Sequence, residues 1–145
     1  MTTIDRDVVF PSTEYFEALA ASARCDELRY RRLGATDVVW AVVIGDQGYR
    51  LVFEDYGCVD VSPWDGTGGV DFVVSAERPD WCELVQHLAG RTGADSDHTL
   101  NSLVLADRRF HLSGAEQLGM DKFYRYNATI QAYFEESRNV PVCFD

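Results

Sequence analysis

His98 stands in the segment DSDHT, between Asp95 and Asp97 on one side and Thr99 on the other. An aspartate that orients an imidazole makes a general base near neutral pH, so Asp97 and His98 are the candidate catalytic pair. A polar loop yields the same cluster by composition alone, and TGADSD reads as such a loop. The segment HLSGA holds His111 and Ser113, but the G-x-S-x-G turn that presents a nucleophilic serine is absent. Ser113 reads instead as a helix cap, with Glu116 three residues on in capping-box spacing. Among the 24 carboxylates, Glu54, Asp60, Asp65 and Asp71 lie on or near expected strands. A buried aspartate facing a tyrosine could abstract a proton from a steroid-like substrate. Strand alternation, however, turns Glu54 and Asp71 toward solvent. No two histidines have helical ligand spacing, and no H-E-x-x-H occurs. Cys25, Cys58, Cys82 and Cys143 form no C-x-x-C pair and read as reduced, mostly buried small hydrophobes. The glycine-rich WDGTGG lacks the Lys-Ser/Thr ending of a phosphate loop and does not match a dinucleotide fingerprint. The sequence therefore predicts no metal and no cofactor.

The stronger signal is aromatic. Tyr, Phe and Trp make up 12% of the chain, and Phe16, Trp40, Tyr49, Phe53, Phe72, Trp81 and Phe110 fall on expected inner faces. A domain of this size needs such residues for its core; the alternative is the lining of an apolar cavity. In GMDKFYRYNATIQAYFEES, Phe123, Tyr126 with Asn127, Ile130, and Tyr133 with Phe134 form one helical stripe. Tyr124 and Arg125 fall off it, toward solvent or a rim. The first turn, Met120, Phe123 and Tyr126, is the expected cavity wall. Trp40, Phe53, Phe72, Trp81, Phe110, Met120, Phe123 and Tyr126 are thus the candidate ligand-binding residues. Tyr124, Tyr126 and Asn127 are candidates for the polar rim.

These side chains need elements to hold them. PSTEYFEALAASAR opens with helix-start signals and continues with Phe16, Leu19, Ala20 and Ala23 at helical spacing. Val38 to Ile44, the alternating Tyr49–Glu54 and CVDVS, separated by GDQG and DYG, predict an antiparallel meander. Val70 to Ala76 predicts a fourth strand. A helix follows, with Asp80 as its cap, Trp81, Leu84, Val85 and Leu88 on one face, and Gly90 at its end. Asp97 could cap a short helix with Leu100, Leu103 and Val104. Phe110 and Leu112 point inward from a last short strand. The closing helical region begins after Ser113, and Gly119 is expected to break it. Strands and helices are segregated, so the fold class is α+β with a mainly antiparallel sheet.

The 145 residues, 46% of them hydrophobic, predict a single domain over 1–145 with a core from about 10 to 138. The net charge of −11 would repel nucleic acid and anionic membranes. No apolar run is long enough to span a bilayer. The charged start MTTIDRDVVFPS does not read as a secretory signal, so the chain is expected to be cytoplasmic.

Three stretches carry a family resemblance. GYRLVFEDYGCVDVS resembles the strand hairpin, VDFVVSAERPDWCELVQ the strand-then-helix unit, and RRFHLSGAEQLGMDKFYRYNATIQAYFE the late strand and closing helix of the sterol carrier protein 2 family of lipid-binding domains. The resemblance implies a five-stranded sheet with helices packed on one face. Between them it implies an apolar tunnel for a sterol, fatty acyl chain or similar lipid. It further implies non-catalytic carriage, with any partner enzyme a separate protein. Two alternatives stay open: a cone-shaped enzyme of the ketosteroid isomerase or polyketide cyclase type, and a protein-interaction module whose pocket its own side chains fill.

Overall fold

The computed structural model describes residues 7–90, 99–106 and 109–144. A short strand, Val8–Phe10 (β1), leads into a helix over Thr13–Arg24 (α1). The Ser12 hydroxyl accepts the Tyr15 N–H at 3.0 Å, which satisfies one of the helix's orphan donors. Tyr15, Phe16, Leu19, Ala20 and Ala23 form the buried face. A second helix, Glu27–Leu33 (α2), is nearly silent in the sequence. Asp26 caps it through the Arg29 N–H, but only Tyr30 is buried, so no apolar stripe announces it.

The meander consists of Thr36–Ile44 (β2), Gln47–Asp55 (β3) and Gly57–Trp64 (β4). It is longer than its apolar runs because the ladder continues through the polar pair Thr36 and Asp55. Phe72–Ala76 (β5) then pairs in parallel with β2, from Trp40 opposite Phe72 to Ile44 opposite Ala76. The sheet is therefore mixed, with one parallel pairing in an otherwise antiparallel order. A helix over Arg78–Ala89 (α3) starts at Glu77, not Asp80. Pro79 fits the first turn, where its missing N–H costs nothing, so Asp80 lies inside the helix. There its carboxylate receives Arg109 at 3.1 Å. Leu100–Ala106 (α4) follows; Asp97, its expected cap, lies outside the described residues.

The last strand, His111–Ser113 (β6), pairs antiparallel with β5 and completes the order β4-β3-β2-β5-β6. Ser113 is held in this ladder opposite Val73, so it caps no helix. The next helix begins at Gln117 and runs unbroken through Gly119 to Arg125 (α5). The break falls at Tyr126, and Asn127–Glu135 (α6) follows. A 3₁₀ turn over Glu136–Asn139 ends in Val142–Phe144 (β7), which pairs in parallel with β1. That two-stranded sheet ties both ends of the described chain together.

Val38, Trp40, Val42 and Ile44 of β2 join Tyr49, Leu51 and Phe53 of β3 and Phe72 and Val74 of β5 on the buried sheet face. Helices cover it with Phe16, Trp81, Phe123, Ile130, Tyr133 and Phe134. The rings touch in series. Trp40 stacks on Phe72 at 5.3 Å, Trp81 stacks on Phe134 at 5.7 Å, and Phe123 meets Phe72 edge-on at 5.6 Å. Trp81 also donates its indole N–H to the Val43 carbonyl at 2.9 Å, which fixes α3 to the sheet.

Candidate ligand-binding site

Two glycines place α5. A methyl group at Gly119 would collide with the Asp71 carbonyl, and one at Gly114 would lie 2.9 Å from the same oxygen. Both positions therefore stay bare, and α5 settles directly on the backbone entering β5. Asp71 secures the junction. Its carboxylate accepts the Val39 N–H at 3.0 Å and pairs with Lys122 at 3.4 Å, and Lys122 also donates to the Asp37 carbonyl. Asp71 is thus a half-buried clamp and does not face freely into solvent, because it precedes β5 and is not part of the alternating strand.

Held this way, α5 overhangs the short edge strand β6 and leaves a cleft of about 370 Å³. Phe110 and Leu112 form one wall, Met120 and Tyr124 another, and Val104 of α4 a third. His111 and Gln117 supply polar atoms at the rim. The Gln117 amide is already engaged with Asp121 at 2.8 Å. Two exposed leucines, Leu105 and Leu118, belong to the same two helices. The volume lies within the range of about 300–1,000 Å³ usual for small-molecule sites. The cleft thus mixes apolar side chains with the polar atoms of His111, Gln117 and Tyr124.

Of the eight residues proposed from the sequence, Phe110 and Met120 line this cleft. Trp40, Phe53, Phe72, Trp81 and Phe123 lie in the ring-to-ring packing of the core, and Tyr126 is half-buried against it. The Trp40 indole N–H is the exception to good satisfaction there: it is buried with no acceptor. Tyr124, one of the three rim candidates, does reach the cleft. Asn127 instead donates its amide to the Tyr124 carbonyl and bridges the α5–α6 break. Val104, His111, Leu112 and Gln117 are not among the ligand-binding residues expected from the sequence. Helical spacing and strand alternation mark Val104 and Leu112 as inward-facing, but no local pattern brings their elements together with Gln117.

Asp97 and His98 lie outside the described residues. Glu54, Asp60 and Asp65 are exposed. Among the described residues, the buried carboxylates are Glu135 and Glu136, at the end of α6. Glu136 receives the Ser22 hydroxyl at 2.6 Å, the Tyr30 hydroxyl at 2.7 Å and the Asn139 amide at 3.0 Å. Glu135 pairs with Arg29 at 2.8 Å. Burial and the Glu136 carboxylate push the Tyr30 phenol far above its usual range. This carboxylate–tyrosine pair is saturated by its neighbours and locks α1, α2 and α6 together. Of the four cysteines, only Cys58 is buried, and burial pushes its thiol up to about 11. Among the described residues no cluster of metal ligands occurs, and no helix is long and apolar enough to cross a membrane.

No family model matches the sequence, and neither does any curated protein. Solved structures do match. The crystal structure of sterol carrier protein 2 superposes with a TM-score of 0.65 at 18% identity, over 89% of this chain and 97% of that one. A conserved hypothetical protein from Thermus thermophilus, described as a possible sterol carrier protein, gives 0.65 at 16% identity, over 91% and 90%. The matches span nearly the whole chain, so the mixed five-stranded sheet and its helical cover are the sterol carrier protein 2 fold.

Proposed function

We propose that the protein binds an apolar small molecule, such as a fatty acyl chain or sterol, without chemistry, at the cleft between β6, α4 and α5. The observation that carries this reading is convergence: α4, β6 and α5 bring Val104, Leu112, Met120 and Tyr124 around one open space with polar groups at its rim, on a domain of the sterol carrier protein 2 fold. Each methylene removed from water contributes about 0.8 kcal/mol, so a chain burying about ten gains about 8 kcal/mol, equivalent to a micromolar Kd before ordering costs. The polar ends of Tyr124, His111 and Gln117 would orient the ligand's head. The reading is of a cytoplasmic carrier that hands its cargo to a separate enzyme; four unpaired cysteines suit a reducing compartment.

The unbroken ring-to-ring packing supports a second reading, a module whose interior its own side chains fill. Native mass spectrometry after gentle purification separates the two. The carrier retains a lipid-sized mass. A clean apo-protein that also ignores a fluorescent fatty acid favours the interaction module.

A further inference from the structure

At the opposite edge of the sheet, α1 and α2 face β4 and the turn that leads into it. Two open cavities of about 260 and 540 Å³ lie there and share Arg24, Cys58 and Val59, so they form one groove. Its floor is apolar: Ala20, Ala23 and Cys58 lie buried at its base, and Val59 stands open beside them. Val59 is 56% exposed, Tyr56 beside it 40%, and Leu28 on the flank of α2 60%. The Arg31 guanidinium sits over the Tyr56 ring at 5.1 Å and joins α2 to the hairpin, so these groups form one surface. The rim is acidic. Glu17, Glu27, Glu54, Asp55 and Asp60 line the groove against Arg24, the single cation among its described lining residues. Glu27 and Asp60 make long, exposed pairs with Arg31 and Arg50, at 3.5 and 3.9 Å. Glu17, Glu54 and Asp55 make no ion pair among the described residues.

Val59, Tyr56 and Leu28 leave apolar side chains open beside the buried floor, and an excess of like charge around them repels nucleic acid, anionic membrane and a second copy of this chain. What complements it is a basic protein segment with an apolar anchor. We infer that this groove docks a partner protein through a segment that sets an apolar side chain on Val59 and Cys58 and places arginine or lysine against Glu54, Asp55 and Glu17. Carboxylates at the rim steer the encounter; the desolvated floor holds the complex. The site is independent of the β6 cleft, since the two occupy opposite edges of the sheet.

The test uses three synthetic peptides: a Leu-Trp-Leu core flanked by arginines, the same core flanked by glutamates, and an arginine peptide with no apolar core. Amide chemical shifts of the 145-residue protein are followed during titration. The first peptide is expected to saturate, shifting amides of residues 23–28 and 54–61, while the other two leave them unmoved. The double variant Glu54→Gln/Asp55→Asn, and separately Val59→Ser, weaken that peptide about tenfold, a change of about 1.4 kcal/mol. Asparagine tolerates the left-handed backbone at Asp55, where φ is 55°, so the fold is kept; unchanged circular dichroism verifies this. Equal response to the arginine-only peptide, or shifts spread over the whole acidic surface, would overturn the inference. So would undiminished binding by both variants.

Discussion

At the scale of single residues, Gly119 is the most informative position. In an exposed helix, glycine to alanine stabilises by about 1 kcal/mol. Here the added methyl would meet the Asp71 carbonyl, which is backbone and cannot swing aside. Gly119→Ala is therefore expected to destabilise by about 1–3 kcal/mol, as overpacking does, and urea denaturation reads the sign directly. The sequence could not distinguish this role from a helix break, because both demand glycine and the contact partner lies 48 residues away along the chain (119 − 71). The buried hydroxyls and thiol make a second prediction. Burial raises the Tyr15, Tyr30 and Tyr133 phenols above the ordinary 10.0, and the Cys58 thiol from 9.0 to about 11. The folded state then keeps protons that the unfolded chain releases. Stability is fully present below pH 9 and falls as pH rises through 9 to 11 and beyond. Denaturant midpoints measured at stepped alkaline pH should decline across that window. A flat profile would contradict the assigned burial.

Among the elements, those with clear periodicity were legible and those held by polar contacts were not. The α1 face, the meander and α3 follow from apolar spacing that their burial reproduces. Helix α2 and strands β1 and β7 lack it. Helix α2 has a single buried anchor, Tyr30, whose hydroxyl donates to Glu136 from across the fold. The other two are three-residue strands that exist by pairing with each other. Tyr30→Phe is consequently expected to loosen α2 selectively. Leaving one of Glu136's acceptor sites without its donor costs about 1–3 kcal/mol. Hydrogen exchange should show faster amides over residues 27–33 with β2 and β3 unchanged. Global loss of protection would instead place Tyr30 in the main core.

For the whole molecule, the sheet has one candidate site at each edge, and among the described residues the rings between sheet and helices pack against one another. The sequence placed the ligand in the middle because inward-facing aromatics are what periodicity reveals. The structure puts most of those rings in contact with one another, and opens space where short edge elements leave the sheet uncovered. Such space depends on how α5 is seated by Gly114, Gly119 and Asp71, a tertiary arrangement that no local pattern encodes. The β6 edge carries the proposed cargo, and the acidic β4 edge carries the inferred partner. Both can be filled at once, so a carrier could stay docked while loaded.

The most direct measurement is a titration of the purified protein with a fluorescent fatty acid, on the wild type and on Val104→Trp and Leu112→Asn. Saturation at one ligand per chain is expected, with a Kd near micromolar or tighter. Either variant should weaken binding about tenfold, at thermal stability close enough to wild type that both remain folded. Absence of saturable binding in the wild type, or equal affinity in all three proteins, would contradict the claim that the cleft between β6, α4 and α5 holds the ligand.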